Sequence, residues 1–142
     1  MSIQLNLASV VIPTKKAEVE FPGYPDLKLT LNYLSREEIN KLRKKATKTK
    51  YDRKTRTPVE EIDEDMFLSL YVGAILSGWT GMKVSYLAQF MPMDTSGIQD
   101  MDAEVEFSPE NALVVMKNSP EFDSFVTDTV SDLQNFTKSS SK

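Results

Sequence analysis

One long uncharged run, Met66 to Gly81, limits most strongly what this chain can fold into. If the run is helical, apolar side chains appear on nearly every side of it, which is typical of a buried helix. The run is shorter than the about 20 apolar residues that span a bilayer, and acidic residues at 63–65 precede it. We therefore predict a buried helix that stops at Gly78 and Gly81, with Trp79 at the corner where the chain turns.

The chain has 142 residues, no cysteine and no histidine. Its length suits one domain. Without cysteine there is no disulfide framework and no thiol nucleophile, and without histidine the usual general base and the commonest metal ligand are missing. The sequence also contains no glycine-rich phosphate loop and no nucleophile elbow. We therefore predict a protein that is not an enzyme and has no catalytic, cofactor-binding or metal-binding residues.

Residues 1–34 carry the β signals of the chain. Apolar and polar residues alternate over 17–21 and 27–33, and a further apolar stretch covers 9–12. The intervening FPGYPD at 21–26 is rich in turn residues. These patterns predict an α+β fold: a mainly helical single domain in which an antiparallel β-hairpin or small sheet packs on the buried central helix.

Residues 35–56 form a basic segment. Ser35 to Glu38 is a capping box and predicts the start of a surface helix. From 41 to 56 nine Lys and Arg face a single acid, Asp52, so we predict that the helix runs into a mobile loop. Thr57-Pro58-Val59-Glu60 is a second capping box, which predicts that helical structure resumes there.

Residues 57–136 are predicted to be the helical part of a domain that covers 1–136. A short amphipathic helix should occupy 82–91, and a solvated loop should follow at 94–102. Ser108 and Ser119 each precede a proline and a glutamate, which predicts two further helix starts. The last helix should run from Pro120 to about Phe136, and residues 137–142 should be a flexible polar tail.

Charge divides the chain into two unlike parts. Residues 1–56 hold 13 Lys and Arg against 6 Asp and Glu, whereas residues 57–142 hold 4 against 15. Such parts attract each other within one molecule or between copies, with screening beyond about 10 Å at ordinary salt. We therefore expect salt-sensitive homo-oligomers. The expected contacts join basic residues of one copy to acidic residues of the next: Lys44, Lys45 and Lys48 to Asp128 and Asp132.

The basic segment 41–56 also permits binding of nucleic acid through its phosphates. However, base-stacking platforms use several aromatic side chains, and Tyr51 is the one aromatic residue in this segment. A solvated segment, an electrostatic docking arm and a nucleic-acid-binding module all stay open as interpretations. The sequence shows no signal peptide and no membrane-spanning run, so we expect a cytoplasmic protein.

A series of motifs follows in order between Leu68 and Phe136. They are an apolar run ending in GWTG at 78–81, VEFSPENA at 105–112, SPEF at 119–122 and DLQNF at 132–136. In order and spacing they resemble the tail assembly chaperone family of long-tailed bacteriophages. The lysine-rich residues 41–56 have no counterpart in that pattern.

The resemblance implies a protein that binds the tape measure protein and helps to recruit tail tube subunits in the host cytoplasm. Such a protein is absent from the mature virion, whereas the alternative, a structural tail-completion or connector subunit, stays in it. The family often makes a longer form by ribosomal frameshifting, which mainly contacts the tube protein, and this chain resembles the short form. Candidate partner contacts are aromatic side chains in the helical part: Trp79, Tyr86, Phe90, Phe122 and Phe125.

Overall fold

The computed structural model describes residues 2–12 and 14–132. The helices are α1 (Leu7–Val10), α2 (Arg36–Lys45), α3 (Glu64–Ile75), α4 (Val84–Phe90), α5 (Pro109–Asn118) and α6 (Pro120–Ser131). The strands are β1 (Thr14–Glu20), β2 (Lys28–Leu34), β3 (Thr47–Asp52), β4 (Thr57–Ile62) and β5 (Leu76–Thr80). Helices and antiparallel sheets are both present, so the predicted α+β class is confirmed.

The larger sheet has three antiparallel strands in the order β1, β2, β5. The predicted hairpin of β1 and β2 is confirmed, with Ala17 opposite Leu31. Its turn is closed by the N–H of Phe21, which donates to the carbonyl oxygen of Leu27 at 3.0 Å. Because side chains alternate along a strand, Leu29 and Leu31 of β2 both point into the core and are buried.

The predicted buried helix from Met66 to Gly81 is wrong in its second half, and in its first half only Val72 and Ile75 are fully buried. α3 ends at Ile75, and the next five residues form β5, where Trp79 lies opposite Leu29 of β2. An uncharged run suits a buried helix and a buried strand equally, so its pattern cannot choose between them. Pairing with β2 decides in favour of a strand. β1 occupies one edge of β2, and β5 supplies hydrogen-bond partners for the backbone of β2 at its other edge.

The two glycines of the run therefore have roles other than stopping a helix. Gly78 lies inside β5 opposite Thr30, and Gly81 follows the last residue of the strand with a φ of 74°. Trp79 consequently lies within the sheet and not at a corner between helices.

The basic segment is only partly as predicted. The start of α2 is confirmed, since the hydroxyl of Ser35 accepts a hydrogen bond from the N–H of Glu38 at 3.3 Å. The mobile loop and the helix start at Thr57 are wrong, because β3 and β4 pair along their full length as an antiparallel hairpin. Threonine and tyrosine suit a strand, and the lysines of β3 lie beside the acids of β4. The true cap of α3 is Asp63, whose carboxylate accepts from the N–H of Met66 at 3.1 Å.

The apolar residues at 9–12 do not form the predicted strand. Residues 7–10 form α1, a single helical turn that begins after Asn6, whose side chain accepts from the N–H of Ala8. None of residues 2–12 is buried.

The C-terminal helix starts are confirmed. The hydroxyl of Ser108 accepts from the N–H of Asn111, and that of Ser119 from the N–H of Phe122, each at 3.1 Å. α4 falls within the predicted 82–91, and residues 94–102 contain no helix or strand. The predicted extension of the last helix to Phe136 and the tail at 137–142 lie outside the described residues.

Buried side chains from the sheet and from α3 to α6 form one contiguous hydrophobic core. α3 and α6 both pack on β2, and α5 contacts each of these two helices. The hairpin of β3 and β4 forms a second, separate sheet outside this arrangement. No helix within the described ranges has the length and apolar content needed to cross a membrane.

Candidate protein-binding surfaces

Three of the five aromatic residues predicted to contact a partner are core residues instead. Trp79, Phe90 and Phe122 are 7%, 5% and 0% exposed. The indole N–H of Trp79 donates to the carbonyl oxygen of Val105 at 2.8 Å, so its polar atom is also satisfied inside the domain. These three side chains stabilise the fold, and the structure removes them from the candidate surface, because a partner can reach only what the domain leaves exposed.

The other two predicted contacts, Tyr86 and Phe125, lie at the rim of the same aromatic cluster and are partly exposed. The ring centroid of Phe125 lies 4.4 Å from that of Phe21, and the hydroxyl of Tyr86 donates to the carbonyl oxygen of Pro25 at 2.8 Å. Both side chains therefore support the β1–β2 turn and present only one side to solvent.

The β1–β2 turn borders a shallow depression of about 600 Å³ that residues 20–28 line. The hydroxyl of Tyr24 donates to a carboxylate oxygen of Glu121 at 3.4 Å. Burial, followed by the nearby negative charge of Glu121, raises the pKa of Tyr24. A raised pKa keeps this phenol protonated at neutral pH, so the contact joins the turn to α6 and does not generate a nucleophile.

The N-terminal segment, residues 2–12, exposes more large apolar side chains than any other part described. We call it the apolar arm. It carries no charged residue. Its exposed apolar side chains, each 52–77% accessible, are Ile3, Leu5, Leu7, Val10, Val11 and Ile12. Large apolar side chains exposed in such number mark sites where proteins meet other molecules. Sequence reasoning missed this surface because it assigned residues 9–12 to a strand, although the uncharged start of the chain was a visible signal.

The hairpin of β3 and β4, which we call the charged hairpin, is the second unusual surface. Every residue of β4 is exposed, including Val59 and Ile62 at 44% and 40%. Lys50 and Glu61 form a cross-strand ion pair at 2.8 Å. A two-stranded hairpin is at best marginally stable alone in water, and within the described part of the chain no helix or sheet covers either face of this one.

An ion pair at the base of the charged hairpin joins it to α3. Lys48 lies 3.0 Å from the carboxylate of Asp63. The hydrogen bond from the N–H of Met66, followed by the contact with Lys48, lowers the pKa of Asp63. The carboxylate therefore stays ionised at neutral pH, where it both caps α3 and binds Lys48 at the base of the hairpin.

The residues predicted to join copies of the chain lie on two surfaces. Lys44 and Lys45 are exposed in the last turn of α2, and Asp128 and Asp132 are exposed at the end of α6. Lys48 belongs to the intramolecular ion pair described above. Electrostatic contact between copies stays a prediction.

The structure divides the basic segment between a helix and a hairpin strand. Lys48 of β3 lies opposite Glu61 of β4, and Lys50 forms an ion pair with the same glutamate, which reduces the positive potential that a phosphate backbone would meet. Tyr51 is 65% exposed and offers one ring for stacking. Within the described ranges, no group of three or more acidic residues is placed to hold a metal ion.

Comparison with protein families gives a match to a family described as YdaY prophage protein, over residues 32–142. The chain belongs to this YdaY prophage family. Membership confirms the phage origin that the motif order implied. The match includes the charged hairpin and the helical part, whereas the apolar arm and β1 precede it. Comparison with curated proteins and with solved structures gave no further match.

Proposed function

We propose that this YdaY-family protein is a tail assembly chaperone that binds the tape measure protein and helps to recruit tail tube subunits. It would act in the host cytoplasm and leave before the virion is complete. Two facts support the proposal: the phage family, and the order of motifs from the GWTG at 78–81 to the SPEF at 119–122. The observation that carries it is the apolar arm, an uncharged segment that the folded domain leaves uncovered.

A chaperone of a long, helical partner needs an apolar surface that covers the partner's apolar stripe until assembly. The apolar arm meets this need because more than half of the surface of each of its large apolar side chains is exposed. Burying one large aliphatic side chain contributes about 1.5–3 kcal/mol, so a few such contacts give a complex that can still dissociate. Tyr86 and Phe125 at the aromatic rim are further candidate contacts.

The structural alternative is a tail-completion or connector subunit that stays in the finished particle. Such subunits form permanent interfaces, which are usually large and apolar. The protein composition of purified virions, measured by mass spectrometry, distinguishes the two proposals. Stoichiometric recovery of this chain from particles would replace the chaperone proposal with the structural one.

A longer, frameshifted form belongs to the same proposal and would carry the contact with the tail tube protein. The DNA downstream should contain an overlapping reading frame preceded by a slippery heptamer. If neither is present, this part of the proposal is removed while binding to the tape measure protein is unaffected.

Replacing two arm residues, Leu7→Ser with Val11→Ser, should weaken binding to the tape measure protein at least about tenfold. Removing two apolar contacts of about 1.5 kcal/mol or more each exceeds the about 1.4 kcal/mol that corresponds to tenfold in affinity. The matched control is Val114→Ser with Ile98→Ser, two exposed apolar residues outside the arm. Binding is measured after co-expression with the tape measure protein of the same prophage, by pull-down and titration calorimetry. Equal binding by the two double variants would show that the arm is not the contact.

A further inference from the structure

The charged hairpin has two open edges, and the register shows which backbone groups face outward. The N–H of Asp63 donates to the carbonyl oxygen of Ala46 at 2.8 Å, one step beyond the pair Thr47 and Ile62. Hydrogen-bonded and non-hydrogen-bonded pairs alternate along an antiparallel ladder. The pairs at 48–61, 50–59 and 52–57 therefore bond inward, and the residues between them point their N–H and C=O groups away from the hairpin.

The outward groups belong to Thr49 and Tyr51 on β3 and to Glu60 and Ile62 on β4. Pro58 also faces outward and has no N–H, which fits the general confinement of strand prolines to edges. Each edge thus offers two residues with both a donor and an acceptor to another strand. Neither strand belongs to the larger sheet, so no further strand of the described chain pairs with these edges.

The two edges carry opposite charges. β3 presents Lys48 and Lys50, whereas β4 presents Glu60 and Glu61. Like charges directly opposite each other destabilise a strand pair, and opposite charges stabilise it. Two β3 edges would therefore repel each other, as would two β4 edges. Charged residues and proline at a sheet edge normally prevent pairing with other chains, but here the charges oppose only the symmetric pairings.

We propose that copies of this chain associate through the charged hairpin, with the β3 edge of one copy paired to the β4 edge of the next. The hairpins then point the same way, and the antiparallel ladder continues from copy to copy. In such a sheet each Glu61 lies between a lysine of its own copy and one of its neighbour. The contact uses two different surfaces, so it generates a ring or an open helical array, not a closed symmetric dimer.

We call the contact between the β3 edge of one copy and the β4 edge of the next the seam. It is short, so association through it is easily reversed. Pro58 removes one donor from the β4 edge, which leaves the N–H groups of Glu60 and Ile62 to bond the neighbour. The side chains beside the seam are exposed and charged, so salt weakens their attraction. The inference does not rest on the chaperone proposal, because it concerns the chain alone and is tested without a tape measure protein.

The first test is the size of the full-length protein by sedimentation velocity. At about 0.01 M salt, where the Debye length is about 30 Å, we expect species larger than a monomer that grow with protein concentration. At about 1 M salt, where it is about 3 Å, the same samples should shift toward monomer. A monomer at every concentration in low salt would overturn the proposal.

The second test locates the contact with a matched pair of charge reversals. Glu61→Lys reverses the charge that lies between the two lysines, whereas Glu106→Lys makes the same change at an exposed site before α5. We expect Glu61→Lys to weaken association about tenfold, since the attraction to the neighbour's lysine becomes a repulsion at each seam, and Glu106→Lys to assemble as the wild type does. Equal assembly by both variants would refute the seam. So would loss of assembly in Lys44→Glu with Lys45→Glu but not in Glu61→Lys, since that places the contact on α2.

The third test reads the backbone directly by hydrogen exchange of the wild-type protein. The outward amides of Thr49, Tyr51, Glu60 and Ile62 should exchange more slowly in the assembled sample than in the dilute one. The inward amides, such as those of Lys50 and Val59, should be protected equally in both samples. Assembly without added protection of the outward amides would exclude strand pairing.

Discussion

Phe122→Ala should lower the free energy of unfolding by about 3–5 kcal/mol, the range for deletion of a buried phenylalanine ring. Phe122 is 0% exposed, and its ring lies 5.8 Å from that of Phe21, 5.4 Å from that of Phe90 and 6.5 Å from that of Trp79, between centroids. The side chain thus joins α6 to the sheet turn, to α4 and to β5. A domain of this size has about 5–15 kcal/mol of stability in total, so the variant should lose a large part of it.

The matched control for this ring deletion is Phe125→Ala, one turn further along α6. Phe125 is partly exposed and contacts one ring, that of Phe21. The Phe125 ring buries less apolar surface than the Phe122 ring. We therefore expect Phe125→Ala to lower the free energy of unfolding much less than Phe122→Ala does. Urea unfolding followed by circular dichroism measures both values. If Phe122→Ala leaves stability unchanged while partner binding falls, Phe122 is a contact residue after all and the core assignment fails.

The helix starts at Ser35, Ser108 and Ser119 were predictable because each one is a local event. A serine hydroxyl reaches a backbone N–H three residues later, and all the atoms involved lie within four residues of sequence. The β1–β2 hairpin was predictable for the same reason, since its alternation and its turn residues are contiguous. Local patterns therefore identified this hairpin and these three helix starts.

The middle of the chain was mispredicted where a distant strand decides local structure. Residues 76–80 form a strand because they pair with the free edge of β2, and the sequence of the uncharged run itself does not indicate this pairing. Residues 57–62 match a capping box, but they pair with 47–52, where Glu61 lies opposite Lys48 and forms an ion pair with Lys50. The helix therefore starts only after Asp63, which caps it. Both errors come from interactions that the sequence pattern of one segment does not contain.

The candidate surfaces show a related limit of sequence reasoning. Aromatic residues mark core and interface alike, so composition could not place Trp79 and Phe122 inside and Tyr86 at the rim. Charge was more informative. The dense lysines at 41–56 stood out from sequence, with a docking arm as one of three open interpretations, and the structure adds that a strand with two glutamates lies beside them. The hairpin therefore carries positive charge on one strand and negative charge on the other, which is the basis for the proposed pairing between copies.

Gly81→Ala should destabilise the protein by about 2–5 kcal/mol through two effects that act together. The residue follows β5 with a φ of 74°, a conformation that side chains other than glycine rarely adopt. A Cβ atom at this position would also overlap the backbone carbonyl of Asp26 in the β1–β2 turn. To make room, the turn or the end of β5 must move, which weakens the terminal pair of Lys28 and Thr80.

Gly73→Ala is the matched control for Gly81→Ala because it makes the same chemical change at a helical position that has room for a side chain. Gly73 lies inside α3, and beyond its own helix backbone a Cβ there meets no atom of the described residues within 4 Å. Alanine favours a helix over glycine by about 0.5–1 kcal/mol, so this variant should be slightly more stable than the wild type. The two substitutions should therefore shift the urea midpoint in opposite directions. A shift of the same sign in both would mean that Gly81 is not held against Asp26, and that β5 ends differently from the geometry described.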